Sequence, residues 1–146
     1  MNREEIIKMM DWHQDEDVQL YAINEAMKDE SIDYWIQPGY YKYSWENCAK
    51  VVVSKDDLIL SKYLAKILKW LQDINWPGAL IILKRLEKFN PLLLKKELEA
   101  TIIVAYEQND TEWLECLSGF WDIKEIRDIL ENPARAILKE SYDKLN

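Results

Sequence analysis

The sequence predicts an all-α fold, a stacked α-solenoid of about four to five irregular helical hairpins forming one domain over residues 1–146. Three observations predict it. The composition is 49% hydrophobic with only three Gly and four Pro, which leaves few tight turns and favours helices joined by short connections. Apolar residues recur at spacings of three and four through most of the chain. Segments that follow a corner begin near Glu16, Trp45, Trp76 and Glu112, 29, 31 and 36 residues apart, the spacing of two-helix repeats that must stack to bury their apolar sides. A compact, non-repetitive helical bundle is the alternative arrangement.

Taken in order, residues 4–11 place Ile6, Ile7, Met9 and Met10 on a helical pattern. Asp15-Glu16-Asp17 opens a second helix carrying Val18, Leu20, Tyr21, Ile23 and Met27, with its acids suited to the positive end of the helix dipole. Ser31 to Gln37 is a short helical piece stopped by Pro38-Gly39, and Tyr40, Tyr41 and Tyr43 follow in a connection. Ser44 is the expected N-cap of a helix from Trp45 to Val53 that turns Cys48, Ala49 and Val52 inward. Ser54-Lys55-Asp56-Asp57 has capping-box spacing with Asp in place of Glu. It leads into the clearest helical pattern, Leu58 to Leu71, where Leu60, Leu64, Ile67, Leu68 and Leu71 share a side.

After a corner at Trp70–Ala79, a helix from Ala79 to Phe89 is predicted to bury Leu80, Leu83 and Leu86. Asn90-Pro91 is a cap followed by a first-position proline opening Leu92 to Tyr106, since the N–H that proline lacks would be unpaired there. Asn109-Asp110-Thr111 forms the next corner. Helices from Glu112 to Phe120 and from Lys124 to Leu130 follow, and Asn132-Pro133 repeats the cap-and-proline signal before a last helix to about Tyr142.

The central corner, Trp70-Leu71-Gln72-Asp73-Ile74-Asn75-Trp76-Pro77-Gly78-Ala79, reads as the tight joint of an antiparallel helical pair. Asn75 is the expected left-handed residue ending one helix, and Pro77 the first residue of the next. Together with Trp45-Glu46-Asn47-Cys48-Ala49-Lys50 and Asp110-Thr111-Glu112-Trp113, this corner resembles a family of small bacterial proteins known only as a domain of unknown function. The resemblance covers roughly residues 40–120, and the WLQDxNWPGA run is its specific part. It implies HEAT-like helical repeats and a role as an immunity protein of a bacterial toxin system, with no catalytic residues to carry over.

Charge narrows the function classes. With 27 acids against 19 bases the formal net charge is −8, which opposes nucleic-acid binding because phosphate neutralisation needs a basic stripe. A basic protein partner fits better. No apolar run approaches a membrane span and the first residues lack a signal-type apolar segment, so no membrane association and a cytoplasmic location are expected. Cys48 and Cys116 are too few for a disulfide framework, and His13 is the only histidine, so a Cys/His nucleophile is disfavoured.

In a stack of hairpins, equivalent corners fall along one edge. That edge would gather Trp12, Asp15, Glu16 and Asp17, then Trp45 and Glu46, then Asp73, Asn75 and Trp76, then Asp110, Glu112 and Trp113. An acidic ridge with interleaved tryptophans suits a protein partner, because Trp anchors interfaces and carboxylates steer a basic surface. The architectural alternative is that each Trp plugs its own hairpin and each acid caps a helix; it is favoured for Trp70 and Trp76 and left open for Trp12 and Trp113. Tyr40, Tyr41 and Tyr43 form a second candidate surface, or else lids over the stack.

Pairs such as Asp73 with Asn75, or Glu16 with Asp110, offer too few converging oxygens for a metal, and no cofactor is expected. The expectation is therefore a non-catalytic protein-binding module, most simply an immunity protein that neutralises a basic toxin. An adaptor binding a peptide on a concave face is the alternative, and an enzyme acting on a nucleotide or base through Asp73, Glu16 or Asp110 a further one.

Overall fold

Asn2 starts the first helix. Its Oδ1 accepts the Glu5 N–H at 2.8 Å while the Glu5 carboxylate accepts the Asn2 N–H at 3.2 Å, a reciprocal cap that satisfies two otherwise unpaired donors. Helix α1 is Arg3–Met9 and α2 is Glu16–Met27. The computed structural model describes residues 1–146 and continues with α3 (Trp45–Val53), α4 (Asp57–Ser61), α5 (Leu64–Lys69), α6 (Ala79–Glu87), α7 (Pro91–Glu107), α8 (Thr111–Ser118), α9 (Lys124–Arg127) and α10 (Ala134–Leu145). Short 3-10 turns at Asp33–Trp35, Lys42–Ser44, Trp70–Gln72 and Gly119–Asp122 fill connections, and there is no strand. The chain is all-α, and no helix is long and apolar enough to cross a membrane.

α1 lies on α2, α2 on α3, α3 on α6, α5 and α8 on α7, and α10 on both α7 and α8; α6 thus packs on α3 and not, as the antiparallel pair at the corner predicts, on α5. One continuous apolar core runs through them, from Ile6 to Leu138. The polar ties between elements are short in sequence. The longest side-chain hydrogen bond joins residues 45 apart, from the Trp113 indole N–H to the Leu68 carbonyl at 3.0 Å.

Several local expectations are corrected. The long helix over Leu58–Leu71 is two short ones, α4 and α5, separated at Lys62-Tyr63. The Ser61 hydroxyl donates to the Leu58 carbonyl at 2.7 Å and Tyr63 leaves the helical region at φ −123; a serine bonding back to the preceding turn competes with helix propagation. The cap of α4 is Asp56, which accepts the Ile59 N–H at 3.0 Å, not the Ser54 box. Ser44 is buried and its hydroxyl donates to the Ile7 carbonyl at 2.7 Å, so it ties α3 to α1 rather than capping. By contrast Asn90 caps α7 as predicted, its Oδ1 accepting the Leu92 N–H at 3.0 Å with Pro91 in the first turn. At the last helix Pro133 precedes the first residue, Ala134, across a cis Asn132–Pro133 bond, and Asn132 accepts the Ala136 N–H.

The corner is built differently from its prediction. Asn75 is not left-handed; the positive φ falls on Gly78, at 86°, and α6 starts only after it, leaving Pro77 outside the helix. The left-handed Asn that ends a helix is Asn109, φ 55, where Asp110 N–H reaches back to the Ala105 carbonyl at 2.9 Å and Asn109 N–H to Tyr106 at 3.1 Å, a Schellman ending. Starting α6 at Ala79 sets its inward face as Ala79, Ile82 and Leu86 and turns Leu80 out to 52% exposure, against the expected burial of Leu80.

Candidate functional site

The corner's own hydrogen bonds hold its shape. The Asp73 carboxylate accepts the Asn75 N–H at 2.8 Å, the Asp73 carbonyl accepts the Trp76 N–H at 3.0 Å, and the Trp76 carbonyl accepts the Ala79 N–H at 3.0 Å. Trp70 is fully buried and its indole N–H donates to the Pro77 carbonyl at 2.9 Å. Trp76 stands edge-on to Trp45, ring centroids 5.8 Å apart, while the Trp45 indole donates to the Pro38 carbonyl at 2.8 Å. Trp70, Trp76 and Trp45 are thus packing elements of the joint between α3 and α6.

Two adjoining cavities flank this joint, together its groove, and Ile74 and Asn75 line both. The larger, about 540 Å3, is lined by Asp73, Leu83, Glu112, Glu115 and Cys116 besides the shared pair. The other, about 460 Å3, is walled by Trp12, Glu46, Trp76, Leu80 and Lys84. Trp12 is 43% exposed and held in place: its N–H donates to the Tyr43 carbonyl at 3.2 Å, and its ring lies 5.7 Å from that of Tyr43. His13 packs edge-on to Tyr43 at 5.0 Å and bonds to Asp11 at 2.8 Å.

Electrostatics divide the molecule. The arginines and several lysines are spent on ties within and between elements: Arg3 with Asp29 at 2.6 Å, Arg85 with Asp57 at 2.6 Å, Lys95 with Glu99 and Glu131, Lys66 with Asp33. None of the ion pairs reaches the groove, so Glu46, Asp73, Glu112 and Glu115 have no Lys or Arg within 4.0 Å. Asp73, Glu112 and Glu115, around a cavity that no base lines, project their field into it, whereas Glu46 shares its cavity with Lys84. The thiol there is inert by comparison: burial, with Glu87 nearby, pushes Cys116 up to about 11, and burial raises Cys48 further, so neither is an activated nucleophile at neutral pH.

The predicted site residues separate accordingly. Trp12 and Glu46 line one of the two adjoining cavities, and Asp73 and Glu112 the other. Asp110 lies at the start of α8 but is engaged as its cap, accepting the Trp113 N–H at 3.1 Å. Trp113 is only 2% exposed and its indole is bonded to Leu68, so it is a plug and not a surface anchor. Asp15, Glu16 and Asp17 are exposed on the first turn of α2, outside the groove lining. The tyrosines line a separate cavity of about 330 Å3: Tyr40 is 98% exposed, Tyr41 packs against the core, and Tyr43 bridges to Trp12.

Sequence reading missed Glu115, Ile74 and Leu80. Glu115 was detectable, since residues i and i+3 share a helix side and Glu112 was already a candidate. Leu80 was hidden by its assignment to the core. Asp73 also holds the turn through Asn75.

Neither a curated protein nor a solved structure matches this chain. A family described as a domain of unknown function, DUF5071, matches residues 47–144. The match takes in the corner and the acidic end of the groove, and begins after Trp12, the tyrosines and Glu46. Because it spans well over half of the sequence, the chain belongs to the DUF5071 family.

Proposed function

We propose that this protein is a non-catalytic protein-binding module whose partner is a basic protein, and that its biological role is that of an immunity protein neutralising a bacterial toxin in the cytoplasm. The observation that carries the binding reading is the groove. It combines exposed apolar side chains, Trp12, Ile74 and Leu80, with four carboxylates that have no cationic partner in the chain. Apolar anchors give an interface its affinity, and the acids Asp73, Glu112 and Glu115, around a cavity that no base lines, give it rate and partner choice, while Lys84 stands beside Glu46 in the other cavity. The restriction of polar ties to 45 residues or fewer supports a HEAT-like stack of hairpins, an architecture whose concave sides commonly serve as binding surfaces. The toxin-neutralising role rests on the family resemblance of the corner and on the acidic charge.

The catalytic alternative is less well supported by the geometry. Asp73 and Asp110 are both occupied as turn or helix caps, and the thiol in the groove is held protonated by burial. The test is co-expression with the protein encoded beside this gene, reading both complex formation and protection of the host cell. A complex that protects, weakened by raised salt, is the expected result; absence of both complex and protection would overturn the proposal.

A further inference from the structure

The two ends of the groove differ in chemistry, and the difference specifies what can occupy it. At one end Trp12, Trp76 and Leu80 provide aromatic and aliphatic walls, with Lys84 and Glu46 both present beside them. At the other, Asp73, Glu112 and Glu115 surround a space of about 540 Å3 whose lining contains no Lys, Arg or His, while Ile74 and Leu83 supply apolar wall. These acids do not converge tightly enough for three of them to ligate one ion. A compact metal cation is therefore a poor match. A flat, forked cation on an apolar stem meets spread carboxylates and apolar wall together, and this is the shape of an arginine side chain.

Resting on the reading of a basic protein partner, we infer that the groove receives a surface segment of that partner in which an arginine enters the Asp73–Glu112–Glu115 cavity while a neighbouring apolar side chain packs between Trp12 and Leu80. Charge complementarity selects this occupant. The ion pairs of the chain leave these carboxylates unpaired, whereas the acids on the ties between elements, such as Asp29 and Asp57, are already bonded to Arg3 and Arg85. Asp73 is preorganised by the Asn75 N–H, so one wall of the cavity is in place before binding. The segment's arginine and apolar residue must lie close in sequence, because Ile74 and Asn75 border both cavities.

The test uses N-acetyl-arginine amide, with the neutral isostere N-acetyl-citrulline amide as control, titrated into the isotope-labelled full chain and followed by amide chemical shifts. Shifts should centre on residues 73–75 and 112–116 for the arginine probe and be at least fivefold weaker for citrulline. Glu112→Gln with Glu115→Gln should weaken the arginine response at least fivefold; both side chains are exposed, and of the two residues only the Glu115 backbone carbonyl takes part in a side-chain hydrogen bond, from Ser118, so the fold should be preserved, as an unchanged remainder of the spectrum verifies. Shifts scattered over all acidic surfaces, or equal for citrulline, would overturn the inference. The same double variant, tested against the protein encoded beside the gene, separates the two claims. Binding with unchanged affinity and salt dependence refutes the groove while the partner reading stands. A localised arginine response with no protein complex leaves the cavity assignment standing and removes the partner reading.

Discussion

Gly78→Ala is the substitution whose cost the structure specifies most closely. Gly78 has φ +86, and a Cβ there would meet the Ala49 Cβ at 2.8 Å, the Trp45 carbonyl oxygen at 2.8 Å and Trp70 Cζ2 at 3.0 Å. Two of these neighbours are a backbone atom and a short rigid side chain, so they cannot swing aside. The left-handed backbone costs a non-glycine residue about 1–2 kcal/mol, and forcing a methyl group into a packed contact adds about 1–3 kcal/mol. Loss of glycine's freedom in the unfolded chain returns about 0.4–1 kcal/mol. The net expectation is a destabilisation of about 3 kcal/mol, which for a domain of this size lowers Tm by roughly 6–12 °C.

Urea unfolding followed by tryptophan fluorescence and by circular dichroism measures it. Gly39→Ala and Gly119→Ala are internal controls, because nothing lies within 4 Å of a Cβ at either site and neither has positive φ; both should stay within about 0.5 kcal/mol of the parent. Ala49→Gly combined with Gly78→Ala should recover part of the loss, since it removes one of the close contacts, and the two changes should be non-additive. A Gly78→Ala loss below about 1 kcal/mol would refute the reasoning, as it would mean that α3 and the corner can separate freely.

Other perturbations probe the polar ties and the thiols. Arg85 donates to the Val53 and Lys55 carbonyls and to Asp57, whose other oxygen accepts the Asn90 N–H at 2.9 Å; Arg85→Met should cost about 1–3 kcal/mol in urea unfolding by stranding these acceptors. The Asp29 carboxylate is held below its ordinary range, chiefly by its hydrogen bond from Arg3, against an opposing effect of burial. Its contribution is therefore fully present above the unfolded value near 4 and lost as pH falls through the folded value, so thermal scans of Asp29→Asn should show a shallower acid-side decline in Tm than the parent. With its thiol pushed up to about 11, Cys116 should react with iodoacetamide at pH 8 about two orders of magnitude more slowly in the folded protein than in urea, as mass spectrometry of time points would show. Rates within threefold of each other would contradict that environment.

What was legible in the sequence followed from rules that act over a few residues. The Asn90-Pro91 cap and the inward Cys48, Ala49 and Val52 needed only helix-end chemistry and a period of 3.6. Leu80 was misplaced because a period gives a repeat and not a phase; the phase of α6 comes from the contact of Gly78 and Ala79 with α3, which no local pattern encodes. The break between α4 and α5 was invisible because the apolar spacing runs straight through it, Leu60, Leu64, Ile67 and Leu68 all being buried. At the site, aligning corners put Asp73 and Glu112 on one edge, and both line the groove. The same alignment could not separate Trp12 from Trp113, because an exposed anchor and a buried plug have the same side chain and differ only in what packs over them.

The 45-residue ceiling on side-chain ties has a kinetic consequence. Each tie closes a modest loop, so the entropy lost before a native contact forms is small, and a chain with such local contacts should fold quickly for its length. If the helices stack as the proposed solenoid, cooperativity should also decay along the sequence. Loosening α1, for instance by Asn2→Ala, should speed amide exchange through α1 and α2 while the amides of α8 and α10 keep their protection. A partner lodged at Ile74 and Asn75, between Trp12 of the early chain and Glu112 of the late chain, would then clamp segments that otherwise breathe independently, and should slow exchange at both ends together.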